Sequence, residues 1–134
     1  MRGKPELVRG WLMKAQSDMT AMEASRGAGA LDAACFHAQQ AAEKFLKAFL
    51  THKGVEFPPT HNLAKLLRLC AESDPSFATL LSVVEPLTPY AVELRYDVDF
   101  WPSADVVAEA QTAANRVREF VLARLPEQVT EGIR

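Results

Sequence analysis

The chain has 134 residues, 49% of them apolar and 24% charged, with a net charge of −2 from 15 basic and 17 acidic side chains. That is enough for one domain with a single core, and it excludes a disordered polar chain, a collagen repeat, a disulfide scaffold and a global basic field for nucleic acid. Alanine is abundant at 21 and glycine scarce at 6, a balance that favours helix.

Glycine and proline cut the chain into four uninterrupted windows, 11–26, 30–53, 60–74 and 103–125, each with helical periodicity. The first helix starts near Pro5, a good first-turn residue, and aligns Val8, Trp11, Leu12, Ala15, Met19 and Met22 on one face. It stops at Arg26-Gly27-Ala28-Gly29, where glycine permits left-handed backbone. The second helix runs from about Leu31 to Lys53 and stops at Gly54. Ala34, Cys35, Ala38, Ala41, Ala42, Phe45, Leu46, Ala48, Phe49 and Leu50 cover more than half its circumference. A helix this apolar is packed on several sides, so it is predicted to sit at the centre of a bundle. Its remaining stripe holds His37, Gln40, Lys44, Lys47 and Thr51 within about 80° of arc.

A third helix is expected over 61–73, capped by Thr60 and ended by Ser73-Asp74-Pro75. The fourth segment begins near Ser76 and carries Phe77, Leu80, Leu81, Val84 and Leu87, with a break or a kink expected at Pro86 and Pro89. Tyr90 to Asp97 reads as a further short helix running into an aromatic loop over 96–102. Ser103 caps the last helix, whose inward face is Val107, Ala110, Ala114, Val117, Val121 and Leu125; Pro126 ends it, and 126–134 reads as a polar, frayed tail. No period-2 alternation of useful length is present. The expectation is a single all-α domain over 1–134 with its core at about 7–125: an up-and-down bundle of four main helices plus a short extra one.

Cys35 and Cys70 are far apart among apolar residues, which suits two buried thiols in a reducing cytoplasm. The N-terminus has no apolar run behind its basic residues, and no stretch approaches the ~18 apolar residues of a membrane span, so a cytoplasmic location away from the membrane is expected. His37, His52 and His61 form no metal-ligand spacing, and no metal or cofactor is expected. No GxSxG, phosphate-loop or dinucleotide fingerprint occurs.

Two places could hold an anion. The first is the polar stripe of the second helix, where His37, Lys44 and Lys47 would meet a nucleotide phosphate or an RNA backbone; its plainer reading is a solvated face. The second is Arg95-Tyr96-Asp97, with Arg95 for a phosphate and Tyr96 for a base or sugar; its plainer reading is Arg95 paired with Asp97 or with a helix end.

The run from Ala34 to Leu50, read as ACFHAQQAAEKFLKAFL, resembles the signature helix of the HEPN domain family. Three more elements match in order. Trp11, Ala15 and Asp18 resemble the opening helix, Thr60-His61-Asn62-Leu63 resembles the THDL start of the third, and Tyr90 to Asp97 resembles the RYPD element. The resemblance spans about 7–125. It implies a helical bundle, often a homodimer, associated with nucleotides such as ATP or GTP, or with RNA. It also implies a minimal nucleotidyltransferase as partner in a two-part, toxin–antitoxin-like system. Other members are metal-independent endoribonucleases with an arginine and a histidine separated by four to six intervening residues.

That last motif is absent. No histidine follows His61, and ten residues separate Arg26 from His37. The RYPD element also departs from the family, reading Arg95-Tyr96-Asp97-Val98-Asp99. The leading expectation is a non-catalytic HEPN protein that binds a nucleotide or serves a nucleotidyltransferase, with Arg95 and Tyr96 ahead of Lys44, Lys47 and His37. The alternatives are a diverged endoribonuclease toxin and a purely dimeric interaction module anchored by Phe100 and Trp101.

Overall fold

The computed structural model describes residues 4–133. Met1–Gly3, read above as part of a non-leader N-terminus, and Arg134 lie outside the described residues. The elements are α1 (Lys4–Gly27), α2 (Leu31–His52), α3 (Leu63–Ser73), α4 (Leu81–Val84), α5 (Ala104–Leu122) and α6 (Glu127–Thr130). Turns of 3-10 helix at Pro75–Leu80 and Glu85–Tyr90 flank α4. The described residues contain no strand, and no helix among them is long and apolar enough to cross a membrane.

The bundle is built around α2. Gly29 takes φ +80°, and the Ala30 N–H donates to the Ser25 carbonyl at 2.8 Å, so a three-residue turn folds α2 back along α1. Besides α1, α2 packs against α3, α5 and the 85–90 turn. Its buried residues include Ala34, Ala38, Ala41, Ala42 and Ala48, whose small side chains let neighbouring helices approach closely, while Phe45, Leu46, Phe49 and Leu50 fill the core between them. The expected central helix is therefore present, and both cysteines are buried.

Four local expectations are corrected. The cap of α3 is Asn62, whose Oδ1 accepts from the Lys65 N–H at 3.2 Å; Thr60 stands two residues earlier and accepts from the Asn62 N–H at 3.1 Å. Asparagine is as good a cap as threonine or better, so the helix starts at the later of two competent residues. The fourth segment, expected to be interrupted only at its prolines, is irregular from its start: a single α-turn between two 3-10 turns, the second of them where Pro86 and Pro89 withhold the donors a longer helix needs. Residues 91–96 form turns rather than a short helix: the Leu94 N–H reaches the Pro89 carbonyl at 2.9 Å, the Asp97 N–H the Leu94 carbonyl at 3.3 Å and the Phe100 N–H the Asp97 carbonyl at 3.1 Å, with no run of successive helical bonds. The tail is not frayed. Its α6 returns onto α1, burying Val129 and Ile133. Arg9 donates to the carbonyls of Val129 at 3.2 Å and Glu131 at 2.5 Å, and Arg118 donates to that of Ile133 at 2.8 Å. Four residues are too few to show a period, so this docking left no sequence signal.

Candidate functional site

The polar stripe of α2 faces a seam with α1 and with the residues leading into α3. Asp18 of α1 is 8% exposed. It accepts from Lys44 Nζ at 2.5 Å and from His37 Nδ1 at 2.9 Å. One turn further, Glu43 is 3% exposed and accepts from Lys47 Nζ at 3.0 Å, His61 Nδ1 at 2.8 Å and Gln39 Nε2 at 3.2 Å. Gln39 is fully buried; its amide also donates to the His61 carbonyl at 3.0 Å, and its oxygen accepts from Gln40 at 2.7 Å. Lys47 Nζ also lies 5.4 Å from the centroid of Trp11 and 5.6 Å from that of Phe57. No buried side-chain polar atom among the described residues lacks a partner.

This corrects the picture of a free cationic strip. His37, Lys44 and Lys47 do share one side of α2, but each is already held by a carboxylate taken out of water. A buried carboxylate must be compensated, and these cations compensate it. The sequence reading missed Asp18 and Glu43 as partners. The signal was available: Asp18 lies on the inward face of α1 between Ala15 and Met22, and Glu43 interrupts the apolar arc of α2. A charge at such a position demands an opposite charge nearby.

The second place is different. The Arg95 guanidinium carbon lies 4.0 Å from the centroid of Phe36, on α2, and 5.5 Å from that of Tyr96. The Phe36 ring in turn meets His37 edge-on at 5.3 Å. Arg95 forms no ion pair among the described residues. The Arg95–Asp97 pair of the plainer reading is not realised, because Asp97 turns to accept from the Asp99 N–H at 2.9 Å. Tyr96 is 73% exposed, Val98 82% and Trp101 75%. Phe100 does the opposite: it is half-buried and stacks on Tyr90 at 5.7 Å. Of the two aromatics expected to anchor contacts, only Trp101 is presented to solvent.

Titration behaviour separates inert groups from available ones. Burial pushes the Cys35 thiol up to about 11, helped by the nearby Asp32 charge and opposed by a hydrogen bond with Tyr90. Burial takes Cys70 to about 12. Neither is a nucleophile near neutral pH. His52 is lowered by burial and by Lys53 and Lys4. Asp74 is lowered by hydrogen bonds from Ser76 and by Arg124. No cluster of three potential metal ligands occurs among the described residues.

A bundle organised on one apolar central helix, with its polar seam against α1 and an arginine–tyrosine corner after the 3-10 turns, defines a class of all-helical domain. The HEPN domain family model matches residues 8–125, nearly the whole chain, and the protein belongs to the HEPN family. Among solved structures it is similar to TT1696 from Thermus thermophilus, at 27% identity and a TM-score of 0.79, covering 88% of this chain and 98% of that one. It also has the fold of ST0689, an archaeal HEPN homologue, at 24% identity and a TM-score of 0.71, covering 87% and 96%. No curated protein matches the sequence.

Proposed function

We propose that this HEPN protein is a non-catalytic binding subunit that takes a nucleotide at the Arg95–Tyr96 corner and serves a minimal nucleotidyltransferase in a two-part, toxin–antitoxin-like system. The observation that carries the reading is the state of Arg95. Its guanidinium rests on Phe36 without a carboxylate partner among the described residues, next to a phenol ring that is 73% exposed. A guanidinium laid on an aromatic face keeps its edge donors for a phosphate, and the exposed Tyr96 ring offers a stacking surface for a base. The exposed Val98 and Trp101 on the same loop support protein docking beside that corner. Titration calorimetry with ATP and with GTP tests the nucleotide part: binding is expected, and Arg95→Ala is expected to weaken it at least about tenfold. Wild-type protein that binds neither nucleotide refutes it.

One observation favours a second reading, a diverged endoribonuclease. Asp18 holds His37 by Nδ1, and the His37 ring touches the Phe36 ring on which Arg95 rests. A carboxylate-oriented imidazole near a cation is the chemistry of a general base beside a phosphodiester. Incubation with total RNA decides between the two: cleavage abolished by His37→Ala supports the nuclease, and intact RNA supports the binding subunit.

A further inference from the structure

Along α5, on the side turned toward residues 80–90, the surface sinks into a cleft of about 400 Å³ lined chiefly by Val83, Pro86, Leu87, Val106, Ala110 and Ala113. The adjoining depression beyond Arg116 is lined by Leu80 and Phe120, so the 80–90 segment runs antiparallel to α5 and the cleft has two distinct ends. Tyr90 and Glu109 line one end, and the Tyr90 phenol is held above its ordinary value by burial, then by Cys35 and Glu109. Ser82 and Arg116 line the other. Glu109 and Arg116 are both exposed, and neither forms an ion pair among the described residues. Their own helix offers them no partner. At the three- and four-residue spacings Glu109 meets Val106, Thr112, Ala113 and the like charge of Asp105. Arg116 meets Thr112, Ala113, Phe120 and Glu119, and Glu119 is already paired with Arg118.

An apolar floor between an unpaired carboxylate and an unpaired guanidinium fits an apolar molecule with a cation at one end and an anion at the other. The spacing sets its length. Seven residues of helix put the two charges about 10.5 Å apart along the axis and about 20° apart around it, so both flank one groove. An extended chain rises about 3.3–3.6 Å per residue, so three residues span the same distance. We propose that the cleft is a binding site for a short apolar peptide, free at both ends and about three residues long. Its terminal ammonium lies at Glu109. Its terminal carboxylate lies at Arg116, whose guanidinium can donate to both carboxylate oxygens. Between them the peptide's apolar side chains pack on Val83, Leu87 and Val106. A cleft of this size, apolar with a few placed polar groups, has the ordinary composition of a small-ligand site. The two charges also read direction and length. A reversed peptide would set ammonium against Arg116 and carboxylate against Glu109, and a segment inside a longer chain has no terminal charge to offer either. Arg95 lines neither depression, so the inference stands apart from the nucleotide reading.

Titration of the isotope-labelled full chain with the peptide Leu-Ala-Leu, followed by amide chemical shifts, tests it. Saturable shifts centred on Val83, Leu87, Ala110 and Ala113 are expected, with a Kd below about 1 mM. Triglycine has the same end charges and no apolar side chain, and is expected to bind at least about tenfold more weakly. Acetylating the amine or amidating the carboxylate of Leu-Ala-Leu is expected to raise the Kd about two- to fivefold each, as for an exposed ion pair. Glu109→Gln should weaken the free peptide by as much and leave the acetylated peptide unaffected; Arg116→Gln should do the same for the free and amidated peptides. The rest of the spectrum shows whether each variant is folded, as expected for exposed helix positions. Absence of saturable shifts at the cleft with about 10 mM peptide overturns the proposal. So does binding indifferent to both end blocks, which would make the cleft a plain apolar depression. Cleft resonances that shift with protein concentration alone and are not reversed by peptide overturn it as well, because another copy of the chain would then cover the site.

Discussion

The seam between α1 and α2 and the loop over 91–102 contain the same kinds of residue and put them to opposite uses. In the seam, Lys44, Lys47 and His37 are drawn onto Asp18 and Glu43 and largely removed from water. In the loop, Arg95, Tyr96 and Trp101 stay exposed, and the nearby acids Glu93, Asp97 and Asp99 leave Arg95 alone. Cationic character in a sequence is therefore a poor guide to anion binding until the fate of the carboxylates is known. A lysine facing a buried acid is part of the structure. An arginine resting on a ring and paired with no acid is available.

The largest test of this contrast is to remove a seam carboxylate. Glu43→Ala strands the ammonium of Lys47, whose side chain is 12% exposed, and takes an acceptor from Gln39 and His61. Breaking one member of a buried ion pair costs about 3–5 kcal/mol, because the survivor remains desolvated without compensation. Urea unfolding should show a midpoint shift of that size with an unchanged m-value. A loss below about 1 kcal/mol would mean that Lys47 simply turns to solvent, and the seam would become a candidate anion site again.

The contrast also marks what the sequence could and could not convey. The windows free of glycine and proline located α2, α3 and α5 within a few residues, α1 needed Pro5 as a first-turn signal to carry its start seven residues ahead of its window, and the apolar arc of α2 predicted its central place, because periodicity and burial are one signal seen twice. The cap of α3 and the broken 75–90 segment depended on local competition: Asn62 against Thr60, and prolines against helix continuation. The docking of α6 depended on Arg9 and Arg118 meeting carbonyls more than a hundred and about fifteen residues away respectively, and periodicity does not encode such pairings. Residue types at the candidate site were legible. Their pairing was not, since Asp18 and Lys44 lie on different helices and meet only after α1 and α2 pack.

The buried thiols extend the comparison to pH. Cys35 and Cys70 both have folded pKa values above the ordinary 9.0. Below pH 9 both folded and unfolded thiols are protonated, and the thiols favour neither state. Above it the unfolded chain releases protons that the folded chain keeps, so stability falls as pH rises from 9 through about 11. The melting temperature of the wild type should therefore drop over this range more steeply than that of a Cys35→Ala, Cys70→Ala chain. Parallel curves would mean that the thiols ionise freely inside the fold. In the native protein near neutral pH, neither thiol should react with a disulfide reagent faster than the protein opens.

Arg95 is expected to behave in the reverse manner to Glu43. Its substitution by alanine removes a surface cation and a stacking contact with Phe36, and should move the unfolding free energy by no more than about 0.5–1 kcal/mol. The effect should appear in ATP and GTP affinity instead. A variant that loses several kcal/mol of stability would place Arg95 with the seam residues, as a structural cation.

The smallest expected effect concerns the two tryptophans, which sample the two regions directly. Trp11 is half-buried in the seam, edge-on to Phe57 at 6.1 Å and beneath Lys47 Nζ. Trp101 is 75% exposed in the loop. A Trp101→Phe chain, reporting Trp11 alone, should emit at shorter wavelength and resist acrylamide quenching. A Trp11→Phe chain, reporting Trp101, should emit like a solvated indole and quench readily. Trp101→Phe should leave stability within about 0.5 kcal/mol of wild type, as for other surface positions. With its ring 75% exposed and free of contacts between copies, quenching of Trp101 should not depend on protein concentration. If Trp101 becomes protected as the chain is concentrated, the loop itself is the contact between copies. In that case the unpaired state of Arg95 would be a feature of the isolated chain, completed by a neighbour's acid rather than by a phosphate.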